Sequence, residues 1–175
     1  MDLPKKYKFK EIEAKWKQTW KDNKTYVSTL KGDNVYSADT PPPYVSGKMH
    51  MGHAISYSQG DFIMRHRRQT GHTIFFPFGT DDNGLPTERY IEKLKKIDSK
   101  KMSREEFVKV CLETVKEVLP TLVQPWKDLA ISANFENAYS TIDQRSIRVS
   151  QHSFLDLYQK KLIYRNDAPS VWCVK

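Results

Sequence analysis

Three consecutive prolines, Pro41 to Pro43, constrain the fold more than any other feature of this 175-residue sequence. Each proline fixes its φ angle and lacks a backbone N–H, so a strand that enters from residues 33–39 must end there. Two glycines and two histidines follow in residues 44–53. Because glycine tolerates conformations and close approaches that a Cβ would block, the sequence predicts a short buried strand, a shaped loop and a helix start.

The predicted helix begins near Met51 and carries His50 and His53 at its N-terminus. Residues three apart lie on the same side of a helix. The first N–H groups of a helix have no intrahelical partner, and the helix dipole adds partial positive charge there. Such a terminus binds anions. We therefore predict that the histidine pair lies at a phosphate-binding site.

A second strand is expected over residues 73–79, TIFFPFG, which are rich in β-branched and aromatic side chains. The helix over 51–68, which stops at Gly71, separates this strand from the first. The order strand, helix, strand predicts an α/β fold with a parallel sheet. Ligands bind outside the carboxyl ends of parallel strands, and both the proline loop and residues 81–83 fall at that edge.

Apolar residues recur at helical spacing in four further segments, over residues 9–22, 86–97, 104–120 and 143–162. Ser103 and Glu106 form a capping box that starts the third of these helices, and Pro120 is expected to end it. Pro125 and the polar stretch 131–141 are predicted to be loop and turn.

The composition indicates a soluble chain with a polyanionic partner as one open possibility. The net charge is +8, the isoelectric point is about 9.4 and the mean hydropathy is −0.69. There is no apolar leader and no run long enough to span a bilayer. Cys111 and Cys173 lie far apart and form no disulfide framework, which favours a reducing cytoplasm. Helical spacing places Cys111 in the core.

The residues of this loop argue against two common phosphate-binding motifs and against a metal site. The spacing of Gly47 and Gly52 suggests a P-loop, but His53 and Ala54 replace its lysine and hydroxyl residue. The dinucleotide fingerprint G-x-G-x-x-G is also absent. A divalent metal on the histidine pair would oppose the helix dipole, and no third ligand stands at a recognisable spacing.

The segment PPPYVSGKMHMGH resembles the HIGH signature of class I aminoacyl-tRNA synthetases, in the form HMGH at residues 50–53. The triple proline and FGTDDNGLPTE at 78–88 resemble the valine branch of that family in its archaeal type. TID, KKLIYR and VWC further on resemble the segment that leads into the family's editing insertion. Isoleucyl and leucyl enzymes share the HIGH signature, but GTD at 79–81 favours valine.

The resemblance implies a Rossmann-like catalytic half that activates L-valine with ATP and Mg²⁺ and then charges tRNA(Val). His50 and His53 would be catalytic and contact the ATP phosphates, while Gly52 lets the adenine approach the backbone. The implied ATP and adenylate site comprises Pro43, Gly47, Met51, Gly52 and His53. The implied amino-acid site comprises Pro42, which forms a rigid wall with Pro43, and Asp81, which would hold the α-ammonium.

The resemblance also divides the chain into a helical lead-in (1–30), the catalytic half (31–168) and the start of the editing insertion (169–175). Trp16 and Trp20 are expected to anchor the lead-in helix. The chain would then be the N-terminal portion of a larger monomeric, cytoplasmic enzyme and incomplete for charging tRNA by itself.

Two segments resemble functional motifs of the family but are better explained without that function. KKMSREE at 100–106 resembles the KMSKS signature, yet that signature lies far downstream in the family, so these residues are predicted to be a helix start. Cys173 resembles the first cysteine of a Cys-x-x-Cys zinc site, but one cysteine cannot hold zinc, so no bound metal is expected.

The basic residues have two interpretations. Residues 65–68, RHRR, are expected to form a solvated helix end, with a tRNA contact as the alternative. Lys160, Lys161 and Arg165 are interpreted in the same way. Two other functions also remain open: another branched-chain synthetase, and a noncatalytic paralogue that binds nucleotide or RNA.

Overall fold

The computed structural model describes residues 6–28, 30–32 and 34–172. Within those residues the helices are α1 (Phe9–Asp22), α2 (Met51–Gln69), α3 (Leu85–Lys95), α4 (Arg104–Asp128) and α5 (Gln144–Gln159). The strands are β1 (Val35–Ser37), β2 (Thr73–Phe75), β3 (Pro77–Thr80) and β4 (Asn134–Ser140), and a 3₁₀ turn covers Ser99–Lys101.

The strands pair in parallel, which confirms the predicted α/β class. β1 pairs with β2, and β3 pairs with β4. A single-residue bridge between Tyr44 and Asp81, also parallel, adds the proline loop to the end of β3. The helix α2 connects β1 to β2, as the predicted order requires. β1 is less buried than expected, because Val35 is 43% exposed.

The segment TIFFPFG was expected to be one strand, but it forms two that have different partners. The Ala38 N–H donates to the Phe75 carbonyl at 3.0 Å, on the β1 side. One residue later the Asn134 N–H donates to the Phe76 carbonyl at 2.7 Å, on the β4 side. Pro77 has no N–H to continue the first ladder, so the pairing changes at this point.

The prediction of a loop over 131–141 was wrong, because β4 lies there. The strand is mostly polar, and its middle residues, 136–138, are exposed. Only Asn134 is fully buried, and its register with β3 shifts between Pro77 and Gly79. A strand of this kind is held by its backbone partner and shows no apolar alternation, so the sequence pattern does not predict it.

The helix α4 continues beyond its predicted end at Pro120 and passes through Pro125 as well. Each interior proline removes one intrahelical hydrogen bond. Trp126, in the last turn, is only 1% exposed and packs against Tyr57 and Phe78 at ring distances of 5.6 and 5.9 Å. Burial of this large side chain in the core stabilises the last turns of the helix and offsets the cost of the two prolines.

The helix α1 is held mainly by Trp20. Its ring lies 5.5 Å from that of Tyr26, and the Arg65 guanidinium lies 5.8 Å from its centroid. Trp16 packs on Trp20 at 6.3 Å but is 47% exposed. The predicted anchoring is therefore carried by one of the two tryptophans.

The basic end of α2 is not the solvated face that the sequence suggested. Arg65 donates to Asp61 at 2.7 Å and to the Tyr26 hydroxyl at 3.1 Å. Arg68 bonds the Ser132 hydroxyl at 3.2 Å, and its guanidinium lies 4.9 Å from the Tyr26 ring. These arginines attach α2 to α1 and to the segment before β4, so they are structural.

Asp61 is the buried centre of this arrangement. It is 4% exposed and accepts from the Ser132 N–H at 2.7 Å and from the Ser132 hydroxyl at 2.5 Å, in addition to Arg65. A buried carboxylate needs such partners, because removal from water strongly disfavours its charged form. The carboxylate fixes the position at which the chain enters β4.

We expect Asp61→Ala to destabilise the protein by about 3–5 kcal/mol, because it leaves the Arg65 charge and two Ser132 donors without their acceptor. Urea denaturation measures the change. Asp156→Ala is the matched control, since Asp156 bonds Lys160 at the same 2.7 Å and the same spacing but on the surface. A loss as small as that of the control would contradict this role for Asp61.

Candidate active site

His50 is the N-cap residue of α2, so the predicted helix start at Met51 is confirmed. Its Nδ1 atom accepts the Gly52 N–H at 3.1 Å. In return, the His53 Nδ1 atom accepts the His50 N–H at 3.4 Å. The two imidazoles thus form a reciprocal cap, in which each ring satisfies a backbone donor that the helix leaves free.

The two rings also stack, with centroids 3.8 Å apart and planes inclined by 21°. A neutral imidazole carries one proton, on the nitrogen that does not accept a hydrogen bond. Because both Nδ1 atoms accept backbone N–H groups, the neutral His50 and His53 rings carry their protons on Nε2. The cap therefore provides two N–H donors at the positive end of a helix dipole.

Gly52 is required by the position of the His50 ring. A Cβ at residue 52 would lie 2.9 Å from Cε1 and 3.0 Å from Nδ1 of His50. Any side chain would therefore displace the imidazole from its cap. The glycine between the histidines leaves room for the first ring to fold over the helix end.

His53 lies against the core aromatics. The centroid of its ring lies 5.8 Å from that of Trp126, and the His50 ring stacks on it. Burial, followed by charge repulsion from His50, lowers the pKa of His53 below its usual value of 6.5. At neutral pH the ring is therefore uncharged and has the tautomer described above.

A cleft of about 210 Å³ opens beside the histidines. Its lining consists of Thr40, Pro41, Pro42, Pro43, Tyr44, Gly52, His53, Ser56 and Tyr57. Four of the eight residues predicted for the site are in this set, whereas Gly47, His50, Met51 and Asp81 lie outside it. The sequence did not indicate Tyr57, whose hydroxyl donates to the Pro41 carbonyl. Burial, with the nearby Tyr139 and Asp39, raises its pKa to about 12, so it remains a neutral phenol.

Asp81 lies at the end of β3, beside the proline loop, as the sequence predicted. Its N–H donates to the Pro43 carbonyl at 2.9 Å, and its carbonyl accepts the Val45 N–H at 3.2 Å. The Thr141 hydroxyl donates to Asp81 Oδ1 at 3.0 Å. Asp81 does not itself line the cleft, but its backbone bond joins it to Pro43, which does.

Sequence reasoning missed Ser140 and Thr141, at the end of β4. Ser140 and Thr141 hydrogen-bond Asp82 and Asp81 respectively across the strand pair. The sequence does contain a signal for this pairing, namely two adjacent hydroxyl residues at the end of one strand and two adjacent acids after another. The signal could not be recognised because residues 131–141 were predicted to be a loop and not a strand.

Other sequence features have structural roles. The segment 100–106 is a 3₁₀ turn followed by the Ser103–Glu106 capping box, so it is a helix start. Cys111 is partly buried and packs against the buried cluster of Val45, Ile91 and Val115, and burial raises the pKa of its thiol. Cys173 lies outside the described residues. In the part that is described, no three His, Cys, Asp or Glu side chains are grouped as a metal site requires, and no helix is long and apolar enough to cross a membrane.

Comparison with known proteins identifies the family. The family described as tRNA synthetases class I (I, L, M and V) matches residues 15–175. A valine–tRNA ligase of Rickettsia felis is 46% identical over 173 residues, which are 98% of this chain and 20% of that protein. A valine–tRNA ligase of Thermoplasma acidophilum is 45% identical over 164 residues, which are 93% of this chain and 21% of that protein.

A solved structure agrees in fold. It is the ternary complex LeuRS-tRNA-LeuAMS of Agrobacterium radiobacter K84 agnB2, which matches with a TM-score of 0.64 and 26% identity over 93% of this chain and 20% of that one. The chain belongs to the class I tRNA synthetases. It spans about a fifth of the length of the relatives it matches.

We predict that acidification from pH 7.5 to 5.5 destabilises the protein partly through His53. The folded state lowers the pKa of His53, so the unfolded chain binds the proton more readily and stability falls as the pH drops through 6.5. The change in melting temperature between the two pH values should be smaller in His53→Gln than in the wild type. His66→Gln, which alters an exposed histidine of the same helix, is the control and should keep the wild-type change.

Proposed function

We propose that this chain is the first part of the catalytic domain of a valine–tRNA ligase. In that function the larger enzyme activates L-valine with ATP and Mg²⁺ to valyl-adenylate and transfers the valyl group to tRNA(Val). The relatives named above support valine as the amino acid. The proposed divisions are a helical lead-in (1–30), the catalytic half (31–168) and the start of the editing insertion (169–175). We also propose that the whole enzyme is a cytoplasmic monomer.

The observation that carries the proposal is the reciprocal histidine cap. In adenylate formation a valine carboxylate oxygen attacks the α-phosphorus of ATP, the bond to pyrophosphate breaks, and negative charge moves onto the phosphate oxygens. Two Nε2–H donors on a helix N-terminus can stabilise that charge. We assign this role to His50 and His53, with Gly52 keeping space for the first ring and for the adenine.

The amino-acid side of the site is assigned to Pro42, Pro43 and Asp81. Pro43 is buried, and both prolines line the cleft as rigid apolar walls. The Asp81 carboxylate is the group proposed to hold the α-ammonium, since an ion pair at a strand end gives both charge and direction. Gly47 and Met51 are proposed to contact the adenylate only when the nucleotide is bound.

Several other amino acids compete with valine for the proposed role of substrate. The solved structure that matches is described as a LeuRS complex, and the family description includes isoleucine, leucine and methionine. A pocket that discriminates by apolar shape alone separates neighbours such as valine and threonine by only about a hundredfold. A comparison of activation rates across amino acids therefore decides the assignment.

We expect valine to drive pyrophosphate exchange into ATP more strongly than isoleucine, leucine, methionine or threonine. The assay uses the longest form of the protein that carries this chain, and then the 175 residues alone. A stronger signal with another amino acid would replace valine in the proposal. No signal in the longer form with any of them would favour a noncatalytic paralogue.

We further expect His50→Asn to reduce this exchange about 100- to 1000-fold, the usual effect of removing one donor to a developing negative charge. Asparagine is a good N-cap, so the free energy of unfolding should change by less than about 1 kcal/mol. Unfolding and exchange are measured on the same preparation. Retained exchange would refute the assigned role, and a joint loss of exchange and stability would indicate a structural role.

A further inference from the structure

Two pairs of side chains link the ends of β3 and β4. The first pair joins the Thr141 hydroxyl to Asp81 Oδ1 at 3.0 Å. The second joins the Ser140 hydroxyl to Asp82 Oδ2. The Thr141 N–H also donates to the Thr80 carbonyl at 3.1 Å. Adjacent acids on one strand end therefore meet adjacent hydroxyls on the other.

The hydrogen bonds of the Thr141 hydroxyl determine its direction. Its oxygen accepts the Asp82 N–H at 3.1 Å and the Asn83 side-chain amide at 3.4 Å. A hydroxyl has two acceptor positions and one proton. Because both acceptor positions of the Thr141 oxygen are occupied, its O–H must donate to a third group. Among the described groups that contact this hydroxyl, only the Asp81 carboxylate is an acceptor.

The second pair holds the threonine in place. Asp82 is 5% exposed, and its link to Ser140 lies one residue before Thr141. The Ser140 N–H donates to Asp143 at 3.2 Å, and Asp143 caps α5 by accepting the Ser146 N–H at 2.7 Å. The turn after β4 is thus fixed on both sides, so the Thr141 hydroxyl has little freedom to move.

Three hydrogen bonds hold Asp81, two to its backbone and one to its side chain. Its backbone bonds Pro43 and Val45, and Thr141 occupies Oδ1. From the part of the chain that the structure describes, no hydrogen bond reaches Oδ2. A carboxylate with one oxygen held and the other available is suited to receive an ammonium group in one orientation.

We propose that Thr141 is a positioning residue that aims the Asp81 carboxylate at the α-ammonium of the amino acid. The inference rests on the function proposed for Asp81. It assigns to Thr141, which does not itself contact the substrate, part of the affinity for the amino acid. Because the proposed function assigns this carboxylate to the amino acid and not to ATP, the contribution should be specific to the amino acid.

The test compares Thr141→Val, which removes the hydroxyl and keeps the shape, with Thr141→Ser, which keeps the hydroxyl. Amino-acid-dependent pyrophosphate exchange gives kcat, the KM for the amino acid and the KM for ATP. We expect Thr141→Val to raise the amino-acid KM about tenfold, as for one hydrogen bond to a charged group, while the ATP KM changes less than about twofold. Thr141→Ser should stay within about threefold of the wild type.

Thr114→Val is the matched control, because it makes the same chemical change at a buried hydroxyl of α4 that has no hydrogen-bond partner among the described residues. It should leave all three kinetic values unchanged. An equal rise of both KM values in Thr141→Val, or a rise that Thr141→Ser does not reverse, would indicate a general structural role and overturn the inference.

Crystal structures of the two Thr141 variants separate this inference from the proposed function. If the wild type supports no exchange with any amino acid, the proposed function fails, and the orientation of Asp81 still tests the positioning. The carboxylate should keep its orientation in Thr141→Ser and change it in Thr141→Val. An unchanged orientation in Thr141→Val would overturn the inference.

Discussion

The backbone pairing between the proline loop and Asp81 is the interaction on which the site depends. Two hydrogen bonds, from Asp81 to Pro43 and from Val45 to Asp81, fix the loop at the end of β3. Prolines have no backbone N–H to donate, so the loop uses the Pro43 carbonyl and the N–H of Val45, two residues after the last proline. The helix α2 starts at Met51, six residues beyond Val45. The position of the histidine cap is therefore set by a pairing that also places the carboxylate.

The histidine cap gives the same side chains a structural and a chemical use. Serine or aspartate would cap this helix equally well, because one acceptor atom is sufficient. Only an imidazole accepts through one nitrogen while it donates through another. In His50 and His53 the backbone bonds occupy Nδ1, which leaves Nε2 as the donor in both rings. The folding of the helix end thus selects the tautomer that the proposed chemistry requires.

The sequence predicted the elements whose signals are local and missed those that depend on distant partners. The proline loop, the start of α2 and the box at Ser103 are determined by residues within a few positions of one another. By contrast, β4 exists because of its pairing with β3, and α4 continues past Pro120 because Trp126 fills the core. The position of Asp81 at the end of β3 was predicted because a strand end is a local feature. Thr141 was missed because its partner lies 60 residues away.

The positive charge of the chain also shows that composition does not reveal which partners the charged side chains have in the fold. A net charge of +8 raises the expectation of a nucleic-acid surface, and the arginines at the end of α2 were the densest basic cluster. In the fold, however, Arg65 pairs with a buried carboxylate, Arg67 lies 4.9 Å from the Tyr36 ring and Arg68 bonds Ser132. Guanidinium groups held in this way by acids, rings and hydroxyls are structural ties. The density of basic residues at this helix end therefore has a structural explanation and does not by itself indicate a nucleic-acid surface.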